Sequence, residues 1–542
     1  MVSTRFPEIF QTLLKERGIE EKDQATFLNP DYSKLHDPLL LPDMEKARER
    51  IISAIKSGEH IVVYSDYDAD GIPGAVVLSD FFKRINYENV SFYIPHRHDE
   101  GFGLNLDAVK ECAERGAKLM ITVDCGTADK EEVALANTLG MDVIITDHHE
   151  AEELPEAYAI VNPKRKDSIY PFDGLCGSGV AYKLVQAILD KESFGVKAGM
   201  EKWSLDMVGI ATLSDMVPLV GENRILARYG LEVLRKSPRV GLESLFKKLK
   251  LDRKTLSEDD IAFMITPRIN AASRMGVPED AFKLLSTTDQ VEAERLAEHL
   301  EKINQERKGV VASMVKEAKS HLKNREKLGG VIVIGNPEWK PSLAGLICNS
   351  LVEEYERPVF AWGRDGDGIL KGSCRSYNGY DLYALMSGAK DCFIEFGGHK
   401  GAGGFSATLE QITTLEEKLS LSLEALAKGD EAVEESLVIS LSDISENLWQ
   451  TVSQFAPFGM GNEKPIFKIM NAPIQSLKQF GKTQEHLELT LTPRLKAISF
   501  FASPESYKLP ANSPSCTLHA HLEKSYFRNR PELRLRIVNI EP

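Results

Sequence analysis

The sequence predicts a parallel-sheet α/β domain, a long connecting helix, a second and smaller α/β domain, and a C-terminal all-β domain. Three observations carry this. Short continuous apolar runs alternate with helical stretches between residues 61 and 149, the pattern of βαβ units whose parallel sheet is covered on both faces. One polar amphipathic stretch runs unbroken from 289 to 325. From 436 the chain turns to short alternating segments, among them "HLELTL", "KAISFFA", "CTLHAHLEK" and "ELRLRIVNI", which suit a small barrel or sandwich.

Taken in order, residues 1–60 read as helices that lead into a domain, with a loop at "FLNPDYSKLHDP". "HIVVYSD" (60–66), "VSFYIP" (90–95), "AKLMITVDCG" (117–126) and "MDVIITDHH" (141–149) read as strands. "GAVVLSDFFKRI" (74–85), "LDAVKECAERG" (106–116) and "KEEVALANTLG" (130–140) are helical, the second closed by Gly116, a good helix-ending residue. Residues 178–300 hold several apolar-periodic segments. In the stretch 289–325, Leu296, Leu300 and Ile303 recur at helical spacing, as in a helix that bridges domains. The second α/β unit comprises "GGVIVIGN", "AGLICNSLVEEY" and "RPVFAWG", ending near the glycine-rich "EFGGHKGAGGF" (395–405), with a helix over 411–428.

A chain of 542 residues exceeds one hydrophobic core, so two to four domains are expected. No apolar run reaches the roughly 18 residues that span a bilayer. The N-terminus lacks the apolar core and cleavage site of a signal peptide. The seven cysteines are scattered and none forms C-x-x-C, which argues against a disulfide framework or a structural zinc site and fits the reducing cytoplasm. The net charge of −15 speaks against a polyanion partner, yet residues 464–542 carry 12 Lys/Arg against 6 Asp/Glu. That asymmetry directs the search for such a partner to the basic end.

In an open parallel sheet, ligands bind at the carboxyl ends of the strands. Here three successive strands end in Asp66-x-Asp68-x-Asp70, in Asp124, and in Asp147-His148-His149. Together they place at least five carboxylates and two imidazoles around one crevice. Carboxylates so crowded stay ionised only with positive charge among them. Oxygen-rich donors with imidazole and no thiolate point to Mn²⁺ or Mg²⁺. There are donors enough for two ions, with Asp124 placed to bridge, the arrangement that serves in-line attack at phosphorus.

"DYDADG", "VDCG", "TDHHE" and "GGHKGAGGF" resemble the DHH phosphoesterase superfamily. Within it the chain resembles the RecJ family of single-strand-specific 5′→3′ DNA exonucleases. That likeness continues through "LCGSGVAYKL", "LSDMVPL", "PRINAASRMGVPEDAFKLL", "INQER", "KGSCRS" and "FAPFGMGNEKPIF", in order along nearly the whole chain. It implies an N-terminal helical segment over 1–60, a DHH catalytic domain over 61–288, a connecting helix over 289–325, a DHHA1-type substrate-binding domain over 326–430 and an OB-like single-strand-binding domain over 436–542. It implies metal ligands at Asp68, Asp70, Asp124, His148 and Asp215, with Asp66 close by, and His149 facing the scissile phosphate. In the second domain it implies phosphate contacts from Ser373, Arg375, Gly397, Gly398 and His399, with His399 assisting catalysis. Arg97 and Arg274 resemble residues near the 5′ end of the strand. Arg528, Arg530, Arg534 and Arg536, with Tyr526 and Phe527, are the candidates for strand binding in the OB-like domain, Arg534 and Arg536 sharing one strand face.

The chain departs from the superfamily pattern at Tyr64, where pyrophosphatases among others have a His ligand, and from the family pattern at Ser65, Pro73 and Phe102. The resemblance further implies DNA repair and recombination, metal-assisted hydrolysis to 5′-mononucleotides, and partners that include a helicase and a single-strand-binding protein; a monomer is expected. Two other readings stay open at this stage. One is a hydrolase of small substrates such as cyclic dinucleotides; the other is a non-catalytic relative, which should lack some of the acidic set.

Overall fold

The computed structural model describes residues 6–97, 100–364, 369–426, 437–481, 484–507, 509, 513–526 and 531–541. The first sheet consists of β1 (Ile61–Ser65), β2 (Val90–Tyr93), β3 (Leu119–Val123), β4 (Asp142–Thr146) and β5 (Ala159–Val161), in the order β2-β1-β3-β4-β5. Every pairing is parallel. β1 and β3 are buried along their whole length, as unbroken apolar runs in a covered sheet must be. The helices Gly71–Arg84 and Gly177–Lys191 build the core on one face, around Val76, Val77, Tyr182 and Leu184. The helices Leu106–Glu114 and Lys130–Thr138 build the other through Val109, Cys112, Val133 and Ala136. Strand order reverses between β1 and β3, which opens the crevice at their carboxyl ends.

A 34-residue helix, Gln290–Lys323, leaves this domain and is about 50 Å long. The Asp289 carboxylate caps its start by accepting from the N–H groups of Val291 and Glu292. Leu296, Ala297 and Leu300 enter the first core, while Met314, Ala318 and Leu322 enter that of the next domain. There β6 (Ile332–Gly335), β7 (Val359–Arg364), β8 (Leu370–Arg375), β9 (Glu395–Gly398) and β10 (Ala402–Ala407) form a mixed sheet, ordered β6-β7-β8-β10-β9. Only β6 and β7 run parallel.

The C-terminal sheet holds β11 (Leu437–Val438), β12 (Phe467–Pro473), β13 (Ser476–Phe480), β14 (His486–Thr492), β15 (Leu495–Ser499), β16 (Ser515–Ser525) and β17 (Glu532–Glu541). Its order is β11-β12-β16-β17-β15-β14-β13. Phe10, Leu13 and Leu14 of the first helix, Pro7–Glu16, lie inside its core. The first sixty residues therefore serve two bodies, since the helix Met44–Ser57 packs on the first sheet through Ala47 and Ile51. No described helix is long and apolar enough to cross a membrane.

The helices Leu205–Ser214 and Gly221–Leu234 cross at Gly209 and Gly230, where a Cβ on Gly230 would stand 2.4 Å from Gly209 Cα. No side chain fits such a backbone approach. Gly230→Val is expected to lower unfolding stability by about 3 kcal/mol in urea titration, the range for overpacking a core.

Candidate metal centre

β1, β3 and β4 lie side by side, so the residues just beyond them converge. The Asp66 N–H donates to Val123 O (3.0 Å), and the Asp124 N–H to Thr146 O (2.9 Å). Asp124 takes φ +63°, a left-handed conformation that costs a non-glycine residue energy. Asp215 arrives from elsewhere, as the C-cap of the helix Leu205–Ser214. Three groups have ligand atoms within 4.8 Å of one another: Asp66, Asp68 and Asp124; Asp70, His148 and Asp215; and Asp124, His148 and His149. His148 Nε2 stands 3.1 Å from Asp124 Oδ1, 3.5 Å from Asp215 Oδ2 and 3.7 Å from Asp70 Oδ2.

Asp66 Oδ1, Asp124 Oδ1, Asp215 Oδ2 and both ring nitrogens of His148 are buried without a hydrogen-bond partner. A buried polar atom left unpaired is costly. These donors fit a divalent cation of the Mn²⁺ or Mg²⁺ kind, which takes carboxylate oxygen and imidazole nitrogen. Burial, and after it Asp70, Asp68 and Asp215, push the Asp124 carboxyl well above the usual range. Burial and then Asp68 do the same to Asp66. Burial and then Asp70 lift Asp215 to about 9, so without a cation it holds a proton at neutral pH. Burial takes His148 down to about 4 against the pull of Asp70, leaving the neutral imidazole that a metal requires.

The scaffold aims these groups with backbone amides. Asp70 accepts from Gly177 N (2.6 Å) and Ser178 N (2.7 Å), at the start of the helix Gly177–Lys191, and its carbonyl accepts from Ser178 Oγ. A Cβ on Gly177 would come within 2.6 Å of Asp124 Cβ, which accounts for glycine in "LCGSG". Asn270 Oδ1 accepts from Ala69 N at 3.0 Å and so pins the loop of Asp66 to Asp70.

Asp147, grouped with the clustered carboxylates in the sequence, has a different job. Its Oδ1 accepts from His148 N, His149 N and His149 Nδ1, and its Oδ2 from Thr127 N. Burial alone would raise its pKa, but the His149 bond outweighs that and holds it well below the usual range. Asp147 thereby orients His149, whose own pKa it raises against burial. The Phe102 ring packs edge-on against His149, with centroids 5.4 Å apart. Tyr64, at the place of the absent His ligand, is buried and donates to Gly103 O at 2.9 Å.

Beside Asp68 lies a second gathering of like charge. Arg97 stacks over Tyr67 at 4.9 Å. Arg274 donates to Ser342 O at 2.5 Å, across to the second domain. Burial, and then Arg97 and Arg307, push Arg274 down to about 10, with Arg375 adding to the effect. Arg307 was missed in the sequence, although "INQER" contains it. Its Nη2 donates to Asn304 Oδ1 at 3.0 Å, and its buried Nε has no partner. Guanidinium groups gathered in this way, with Asp68 on one side, suit the oxygens of a phosphate.

The remaining candidates fall differently. Ser373 and Arg375 lie on β8, and Arg375 Nη2 packs against Gly345. Gly397 and Gly398 end β9; at φ +140°, with Ala402 O 2.5 Å from any Cβ, Gly398 admits no side chain. His399 stands exposed beyond it and belongs to none of the three ion-competent groups. Arg534 and Arg536 do share a strand face, and both pair with Glu523 (3.1 and 2.8 Å), one carboxylate between two guanidinium groups. Tyr526 is 40% exposed. Phe527, Arg528 and Arg530 lie outside the described residues.

A parallel sheet with acidic strand ends and paired histidines, joined by a long helix to a second α/β domain, defines a phosphoesterase of the DHH class. Sequence models of the DHH family N-terminal domain, the DHHA1 domain and the RecJ OB domain match residues 60–212, 328–425 and 436–539. The chain belongs to the RecJ family. It is 36% identical over 89% of its length to the single-stranded-DNA-specific exonuclease RecJ of Bacillus subtilis, of which it spans 61%. It is 32% identical over 90% of its length to the protein of that name from Salmonella typhimurium, of which it spans 87%. The crystal structure of RecJ in complex with Mn²⁺ from Thermus thermophilus superposes with a TM-score of 0.81 at 25% identity, over 98% of this chain and 76% of that one.

In metal-free protein at neutral pH, Asp124→Asn is expected to raise the melting temperature, because burial and then Asp70 raise the carboxyl's pKa on folding and the amide avoids that cost. Mn²⁺ at about a hundred times its Kd is expected to stabilise the wild type by about 2.7 kcal/mol and the variant far less. Thermal melts with and without Mn²⁺ measure both.

Proposed function

We propose that this chain is a metal-dependent 5′→3′ exonuclease that hydrolyses single-stranded DNA to 5′-mononucleotides, in repair and recombination. The observation that carries this reading is the pairing of two clusters: carboxylates and imidazoles with orphaned buried atoms that suit cations, beside arginines gathered where an anion would bind. A phosphodiester lying across bound cations meets both needs.

Asp66, Asp68, Asp70, Asp124, His148 and Asp215 would hold the two Mn²⁺ or Mg²⁺ ions, Asp124 and His148 each belonging to two of the groups. When bound, such ions supply an activated water and offset charge at phosphorus. The chain's own residues do the rest. Asp147 fixes His149 Nδ1, leaving the other ring nitrogen to face a phosphate oxygen. Arg97, Arg274, Ser373 and Arg375 grip the 5′ end, Arg307 the phosphate beside it. Gly397 and Gly398 let backbone approach phosphate, and His399 reaches the site as the second domain closes on substrate.

The strand leads away along the connecting helix. A groove of about 1070 Å³ begins at Arg307 and Lys308 and follows Val311, Val315, Lys316 and Lys323 to His486 and Phe501 of the C-terminal domain. Phe501 is 84% exposed, and with Phe480 and Phe500 it surrounds the His486 ring. Lysines along a path with aromatic faces suit the phosphates and bases of a single strand, and a groove of this length favours a strand over a dinucleotide. In this reading residues 61–288 are the catalytic domain, 326–430 the substrate-binding domain and 436–542 the strand-binding domain, with the segment 1–60 before them and the connecting helix over 289–325. The chain works as a cytoplasmic monomer, beside a helicase that supplies the strand and a single-strand-binding protein that covers it.

With Mn²⁺ and 5′-labelled substrates, the wild type is expected to release labelled mononucleotide from single strands and little from blunt duplex. Asp124→Ala is expected to lose more than about a hundredfold in rate, since even outer-shell changes cost 10–100-fold. Equal cutting of both substrates overturns the strand preference. Phe501→Ala is expected to weaken binding of a long single strand by about 1–3 kcal/mol, with turnover of a dinucleotide unchanged.

A further inference from the structure

The segment that follows Asp215 is clamped by the C-terminal domain. Met216 takes φ +56° and is 73% exposed, so its own side chain does nothing to hold that strained turn. The anchors come next. Val217 is buried against Cys176 and Ala211. The Leu219 N–H donates to Met460 O at 2.7 Å. Gly459 lies so close that a Cβ there would stand 2.7 Å from Leu219 Cδ1, and one on Gly461 would stand 3.3 Å from Pro218 Cβ.

The clamping loop is itself tied down. Gly459 and Asn462 exchange backbone hydrogen bonds of 3.0 Å. Asn462 is buried and donates to Phe455 O and Pro457 O, both at 2.8 Å, while Arg17 Nε donates to its Oδ1 at 2.7 Å. From the helix after the clamped segment, buried Arg224 donates to Phe455 O (2.9 Å), Ala456 O (3.2 Å) and Phe27 O (2.8 Å).

We infer that the loop 458–462 is a positioning element for Asp215: by fixing residues 217–220 it holds that carboxylate at the Asp70–His148 group, so the C-terminal domain sets ion affinity as well as strand binding. This rests on the metal reading above. Among the described contacts, the backbone just past Asp215 is braced from two sides: Val217 by Cys176 and Ala211 and Pro218 O by Asn223 Nδ2 (3.1 Å) within the first domain, and Leu219 by Met460 of the C-terminal domain. Freed from Met460, the turn at Met216 relaxes to an ordinary conformation and carries the carboxylate off its partners.

Gly459→Val in the full chain tests it, by pressing a branched side chain against Leu219. Calorimetric titration with Mn²⁺ is expected to show one ion bound about tenfold more weakly, the usual effect of disturbing what supports a ligand. Hydrogen exchange is expected to quicken over 213–220 and stay unchanged in β1, β3 and β4, and metal-free binding of a long single strand is expected to be unchanged. Should Gly459→Val lose its cooperative melt, Asn462→Ser loosens the same loop without added bulk and is read the same way. Unchanged Mn²⁺ affinity alongside quickened exchange overturns the inference, as does a loss confined to strand binding. None of these readouts needs DNA hydrolysis, so failure of the nuclease reading and failure of the clamp are told apart.

Discussion

Like charges brought together in a buried place are the constraint from which the rest follows. Asp66, Asp68, Asp70, Asp124 and Asp215 meet in one crevice. At about 4 Å two such charges repel by about 4 kcal/mol near a protein surface. A proton on Asp215, the amides on Asp70 and the nearby Arg97 offset part of that, and the sheet with its two helical layers holds the groups together against the rest. Next to it Arg97, Arg274, Arg307 and Arg375 repeat the situation with the opposite sign. Each set is unfavourable alone, and cations with a phosphate between them relieve both at once.

Assembly of this kind needs rigid supports, and they are mostly backbone amides and neutral side chains. The first turn of the helix Gly177–Lys191 addresses Asp70. Asn270 pins Ala69. Asn162 Nδ2 donates to His149 O (2.8 Å) and Thr127 Oγ1 (3.1 Å) while its Oδ1 accepts from Lys164 N (2.8 Å), so one buried amide joins three loops at the sheet's edge. Such supports direct the carboxylates without neutralising them, which leaves their charge for the ions.

The remaining architecture brings distant parts to this point. The connecting helix enters both catalytic cores and also carries Arg307 and the lysines of the groove. Arg274 reaches Ser342, so the arginine cluster forms only where two domains touch. The first helix inserts Phe10, Leu13 and Leu14 into the C-terminal core, and the loop 458–462 returns to the segment after Asp215. A chain tied in this way transmits disturbance of the C-terminal domain to the metal centre.

The sequence by itself determined the strands, their parallel order of use and the acids at their ends. Short apolar runs that alternate with helical segments read as covered strands, and the residue after each stands at the sheet's rim. Asp66, Asp68, Asp70, Asp124, His148 and His149 were therefore legible from local pattern, as was the long helix from its periodicity. Tertiary structure alone decided that Asp147 serves His149 rather than an ion and that Arg534 and Arg536 pair with Glu523, and it gave Asp215, implied by the resemblance and by no local pattern, its place beside Asp70 and His148. It also decided that Arg307 completes the arginine cluster. Periodicity reports which way a side chain faces within its own element. Which partner it meets depends on how separate elements pack, and no local pattern carries that.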